Sequence, residues 1–218
     1  QRIVVNCGLP ASGPDLRLLA RSTPAHSTAS VADSSSCRFL TATGWWGERV
    51  VAEWLIRRRG AVVLRGPAAV AAERVEEADS TVLAARHDGY APEFGIVHER
   101  RWQLFPAEAR LEGRDAFLRQ GKGRLRGHDV AIRFHLHPGI AVRGVPEGLE
   151  LASALGEIWV FRASGAEIAI EESVYFSGLT GPRRTDQIVL HLRVSDDVEV
   201  RWSFERLASA PMRGATAP

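Results

Sequence analysis

His135 and His137 stand two residues apart with Arg133 just before them. On a strand this spacing puts all three on one face, with the imidazoles about 7 Å apart. Three chemistries fit that pattern. The face can meet solvent and backbone carbonyls as plain polar surface. Two imidazoles can share a metal whose other ligands come from neighbouring strands. Or the face can contact sugar hydroxyls and carboxylates, with Arg133 pairing in bidentate fashion. A denser polar group is His87, Asp88 and Tyr90 (HDGY), followed by His98, Arg100 and Arg101 (HERR). A hairpin between them brings several of these side chains together, either as a structural network linking Asp88 to Arg100 or Arg101 or as a binding site. Glu171 and Glu172, with Tyr175 nearby, have the composition of a glycosidase carboxylate pair. Adjacent residues on a strand point to opposite faces, so the two cannot flank one glycosidic bond. Arg183 and Arg184 fall in a Gly-Pro turn, which fits a solvated turn or an anion contact.

These residues lie on segments whose dominant signal is period-2 alternation. In Val130 to Val142, Ile132, Phe134 and Leu136 share the face opposite Arg133, His135 and His137, which predicts a half-buried strand. Similar runs occupy Glu157 to Arg162, Ala166 to Glu172, Gln187 to Val194 and Val198 to Phe204, each bounded by Gly, Pro, Ser or Asp. Many short strands with turns between them predict an all-β fold of layered antiparallel sheets in a β-sandwich. One stretch is ambiguous: Trp46, Val50, Val51, Trp54 and Leu55 fit helical spacing, with Gly60 as a C-cap after Arg57, Arg58 and Arg59, yet they also fit a strand. The expected organisation is one domain over 1–207 and a flexible tail over 208–218.

The chain has 218 residues, of which 45% are apolar, enough to bury a core. Its 28 basic side chains nearly cancel its 26 acidic ones, which argues against a nucleic-acid partner. A local groove of Arg and His for an anionic sugar needs no overall excess of charge. No apolar run approaches a membrane-spanning length, so no membrane partner is expected. The opening residues read as mid-strand, the pattern of a piece of a longer protein. Cys7 and Cys37 read as two small buried thiols, with one bridge as the alternative. GxSxG, P-loop, GxGxxG and CxxC patterns do not occur.

Taken in order, IVVNCG, AHST, HDGY, FGIVHERR, RFHLHP, GEIWVFRA, EESVYF and PRRTDQIVL resemble the C-terminal β domain of bacterial heparinase II/III-like proteins, over about residues 2–206. The resemblance implies a polysaccharide lyase in which an α/α toroid precedes layered, supersandwich-like sheets. An acidic polysaccharide would bind in the cleft between them and be cut by β-elimination at uronic acids. It implies that the main catalytic groups precede Gln1, that these residues alone have little or no activity, and that the protein resides in the bacterial cell envelope or periplasm. His26 in AHST matches a family histidine and is the candidate catalytic residue. Arg133, His135, His137, His98 and Arg100 are the candidate substrate-binding residues. His26 and Asn6 match positions that ligate a structural zinc in some members. A neutral amide at Asn6 is a poor zinc ligand, so no metal or other cofactor is expected here. The alternative function is a non-catalytic carbohydrate-binding or structural module.

Overall fold

The computed structural model describes residues 2–11, 13–42, 45–60, 62–121, 127–176 and 181–207. The expected tail at 208–218 lies outside the described residues. In chain order the elements are β1 (Val4–Val5), α1 (Pro14–Leu19), a 3-10 turn (Thr23–Ala25), β2 (Ala29–Val31), β3 (Arg38–Phe39), α2 (Trp46–Arg59), β4 (Val63–Arg65), β5 (Val70–Glu76), β6 (Thr81–His87), α3 (Ala91–Phe94), β7 (Ile96–Phe105), β8 (Arg110–Arg119), β9 (His128–Leu136), β10 (Ile140–Val145), β11 (Gly148–Ser153), β12 (Ile158–Ser164), β13 (Glu167–Phe176), β14 (Pro182–Val194) and β15 (Val198–Arg206).

Two antiparallel sheets carry the architecture. The larger runs β10-β11-β12-β15-β8-β7-β6-β5, and the smaller β1-β9-β14-β13, with β2 also pairing β9. The alternation of β9 drives their packing: Ile132, Phe134 and Leu136 are buried toward the larger sheet. Phe134 makes ring contacts with Phe161, Trp202 and Phe204 at 5.4, 4.8 and 5.6 Å. The two sheets therefore share one core and form the expected β-sandwich.

Two expectations are refined. The run from Val130 to Val142 is not one strand: β9 ends at Leu136 and β10 begins at Ile140, because Pro138 and Gly139 interrupt the ladder. The ambiguous stretch is a helix. In α2 an Arg49 to Glu53 pair at 3.1 Å sits one turn apart, Arg57, Arg58 and Arg59 occupy the last turn, and Gly60 caps it at φ 77°. The helix buries only Ala52, and Trp45, Trp46 and Trp54 are exposed. At the margin of the larger sheet, every residue of β5 is exposed. Cys7 and Cys37 are free thiols; Cys7 is buried as expected, whereas Cys37 is only half-buried.

Candidate functional site

β9 brings the candidate residues together, but its second face is covered rather than open. His135 is only 3% exposed. Its Nε2 lies 2.9 Å from the Pro24 carbonyl and its Nδ1 2.8 Å from Ser173 Oγ. A carbonyl can only accept, so Nε2 carries the proton and Nδ1 accepts from the Ser173 hydroxyl. Cys7 Sγ stands 3.6 Å from the same Nδ1. Burial lowers the His135 pKa to about 4, keeping the ring neutral. The backbone N–H of His135 donates to Ser27 Oγ, which in turn donates to the Val5 carbonyl. Three segments distant in sequence are thereby tied to one imidazole. His135, expected to face substrate, is enclosed within the described residues, because alternation assigns a side chain to a face but does not say what lies over that face.

Partly buried groups surround this cluster. His26 is half-buried at the end of the 3-10 turn, and burial lowers its pKa, favouring the neutral ring. His137 is half-buried, packs on Tyr175 at 5.6 Å between ring centres, and accepts the Gly139 N–H at Nδ1. Arg133, also half-buried, donates to Ser30 Oγ at 2.5 Å and reaches Asp33 at 3.4 Å. His26, His137, Tyr175 and Arg133 offer proton-handling, aromatic and cationic groups on one side of the smaller sheet.

The HDGY and HERR segments pair as β6 and β7, with His87 opposite His98. Their convergence is internal. Asp115, with no exposed surface, accepts from His98 Nε2 at 2.7 Å, Arg100 Nε at 2.6 Å and Trp202 Nε1 at 2.8 Å. Burial alone would raise the Asp115 pKa, but the Arg100 charge and the His98 and Arg100 hydrogen bonds outweigh it and hold the carboxyl at about 2. Arg100 also donates to the Ser27 carbonyl at 2.8 Å. His87 accepts the Gly89 N–H at Nδ1, so its Nε2 faces His98 Nδ1 as a donor at 3.4 Å. One direction of donation then runs from Gly89 through both rings to Asp115. His98 and Arg100, expected at the substrate, are 3% and 4% exposed and bond within the sandwich. Asp88 is not the partner of Arg100 or Arg101: its carboxylate accepts the Ala68 and Ala69 N–H groups. Tyr90 is buried and donates to the Ala29 carbonyl at 2.8 Å.

Glu171 and Glu172 diverge, pairing with His191 at 2.8 Å and Arg184 at 3.1 Å. Asn6 is exposed and its amide oxygen accepts the Ser27 N–H at 2.9 Å. Among the described residues no group of three or more His, Cys, Asp and Glu converges. Among the described residues, the His26 imidazole and the neutral Asn6 amide do not make up a zinc ligand set. Sequence reasoning missed Ser173, passed over within EESVYF in favour of its glutamates and tyrosine, and Asp115, whose segment carries no local motif.

The fold resembles solved polysaccharide lyases. Heparan sulfate lyase HepC from Pedobacter heparinus matches with TM-score 0.65 and 9% identity, over 96% of this chain and 29% of that one. A heparinase III matches with TM-score 0.66 and 11% identity over 96% and 29%, and a further heparinase III with 0.60 and 13% over 95% and 28%. The chain thus spans under a third of the length of these proteins. No curated protein sequence matches it. A family model described as heparinase II/III-like, C-terminal, matches residues 1–203, and on that match, with the sandwich that accompanies it, the chain belongs to the heparinase II/III-like family as its C-terminal domain.

Proposed function

We propose that this chain is the β domain of a lyase that cleaves uronic-acid polysaccharides by β-elimination, and that it forms one wall of the substrate cleft beside an upstream helical domain. The observation that carries this reading is the family match across 1–203, joined to a half-buried His26 kept neutral by burial. β-Elimination needs the uronate carboxylate neutralised, the C5 proton removed, and a proton given to the departing 4-oxygen. A neutral imidazole can accept a proton, and His26 is assigned that kind of role. Arg133 and His137 are the wall groups placed to meet carboxylate and hydroxyls. His98, Arg100 and His135 act behind them, fixing the strands from which they project. The family points to the bacterial cell envelope as the place of action; among the described residues no helix is long and apolar enough to cross a membrane.

The test uses the protein with its upstream domain on heparan sulfate and on alginate, following the ultraviolet absorbance of the unsaturated sugar end. His26→Ala is expected to lower kcat by about 100-fold or more, the scale of a lost acid–base group, with the melting temperature unchanged. Full activity in His26→Ala would remove its assigned role. Wild-type protein that binds these polymers without cutting them would favour a carbohydrate-binding module instead.

A further inference from the structure

We propose that the outward face of the larger sheet carries a second binding site, for an anionic glycan, separate from the β9 wall. A cavity of about 570 Å³ opens there, lined by Arg101, Arg114, Arg162 and Arg201 together with Gln103, Glu112, Ser164 and Ser203. Neighbouring strands set these residues in two rows. Arg101 lies opposite Arg114, Arg114 opposite Arg201 and Arg201 opposite Ser164. Beside them, Gln103 lies opposite Glu112, Glu112 opposite Ser203 and Ser203 opposite Arg162. Arg101 and Arg114 alternate with Arg100 and Asp115, so they face away from the core.

Three arginines directly opposite one another across three strands repel, a placement that costs stability unless anions sit among them. The protein's own anions offset this only in part. Arg114 bridges Glu99 at 2.7 Å and Glu199 at 2.9 Å, while its Nε is buried without a hydrogen-bond partner. Arg201 gives its Nε to Glu199 at 2.6 Å. Arg162 reaches Glu205 at 3.0 Å and Glu147 at 3.3 Å. Glu112 is engaged by Arg110. No partner within the described residues engages the exposed Arg101 guanidinium. The cavity thus presents guanidinium donors for carboxylate or sulfate, interleaved with Ser, Gln and Glu groups that suit sugar hydroxyls. It offers no exposed aromatic face on which nucleic-acid bases would stack. A uronate- or sulfate-bearing oligosaccharide matches this alternation. The site borrows from the lyase reading only the class of ligand, and its role would be to hold polymer away from the reacting bond.

The test is calorimetric binding of size-defined heparan sulfate and alginate oligosaccharides, with dextran as the neutral control. Comparison is made between wild type and the Arg101→Glu/Arg201→Glu double variant, with circular dichroism and melting temperature as fold controls. The expected result is binding of one or both anionic glycans but not dextran, weakened by salt, with Kd raised at least tenfold in the double variant. If that variant does not fold, Arg101→Gln/Arg201→Gln carries the same comparison. Unchanged affinity in the folded double variant, or no anionic glycan bound by wild type, overturns the proposal. So does loss of turnover of short oligosaccharides by the double variant with its upstream domain present, since that would place these arginines at the reacting bond. Absence of unsaturated product from wild type, with this binding intact, would overturn the lyase reading and leave the second site standing.

Discussion

Asp115 shows how much one carboxylate can organise. Its two oxygens satisfy an imidazole, a guanidinium and an indole, while the Arg100 guanidinium also lies 5.6 Å from the Phe134 ring centre and 5.8 Å from that of Trp202. Removing the carboxylate leaves the Arg100 charge buried among aromatic rings. Asp115→Ala is therefore expected to destabilise the chain by about 3–5 kcal/mol, the usual cost of stranding a buried charge, read as a lower urea midpoint. None of this was legible locally. HERR announced the donors, but their acceptor lies in GRDAF, whose single aspartate has no motif around it. His135 teaches a related lesson: it was legible as a histidine facing away from Phe134, whereas Cys7, Pro24 and Ser173, which enclose it, come from remote segments. Tertiary closure, not local pattern, decides whether a polar strand residue meets water.

Among the elements, the strands were the readable part, because a 2-residue period needs only near neighbours. The predicted runs ending in Val194 and beginning at Val198 coincide with the observed limits of β14 and β15 at those ends. α2 was ambiguous since its apolar residues do not separate into one buried face; all but Ala52 remain at least partly exposed. The register of β8 imposes a sharper requirement. Gly113 lies opposite both Trp102 and Trp202, and a Cβ there would come within 2.1 Å of the Trp202 ring. Gly113→Ala must push the indole, the β8 backbone or both, and Trp202 Nε1 is also bonded to Asp115. The expected loss is about 1–3 kcal/mol, as for overpacked cores. Thermal unfolding checks the size, and altered near-ultraviolet dichroism of the tryptophans checks the mechanism.

At the scale of the whole molecule, burial of neutral histidines makes stability depend on pH. Burial, aided by repulsion from His98, lowers the His87 pKa to about 4, against an opposing pull from Asp88; His135 is lowered to the same value. Below the ordinary histidine range the unfolded chain binds protons that the folded chain resists, so stability falls as pH drops from about 6.5 towards 4. Asp115 acts lower: its depressed pKa contributes stability above the unfolded carboxylate value and loses it as pH falls towards 2. Denaturant midpoints measured in steps across this range should decline first through the histidine window and again below about 4; a flat profile between 6.5 and 4 would show that the two rings titrate freely. The exposed margin formed by β5 bears on how copies of this protein meet. Its outer rim of amide and carbonyl groups is a template onto which a second chain can add a strand. Glu73, Arg74 and Glu76 stand along that rim, so self-association through it becomes easier wherever high ionic strength screens their charge. Storage buffers and crystallisation conditions that mask charge would therefore favour continuous intermolecular sheets.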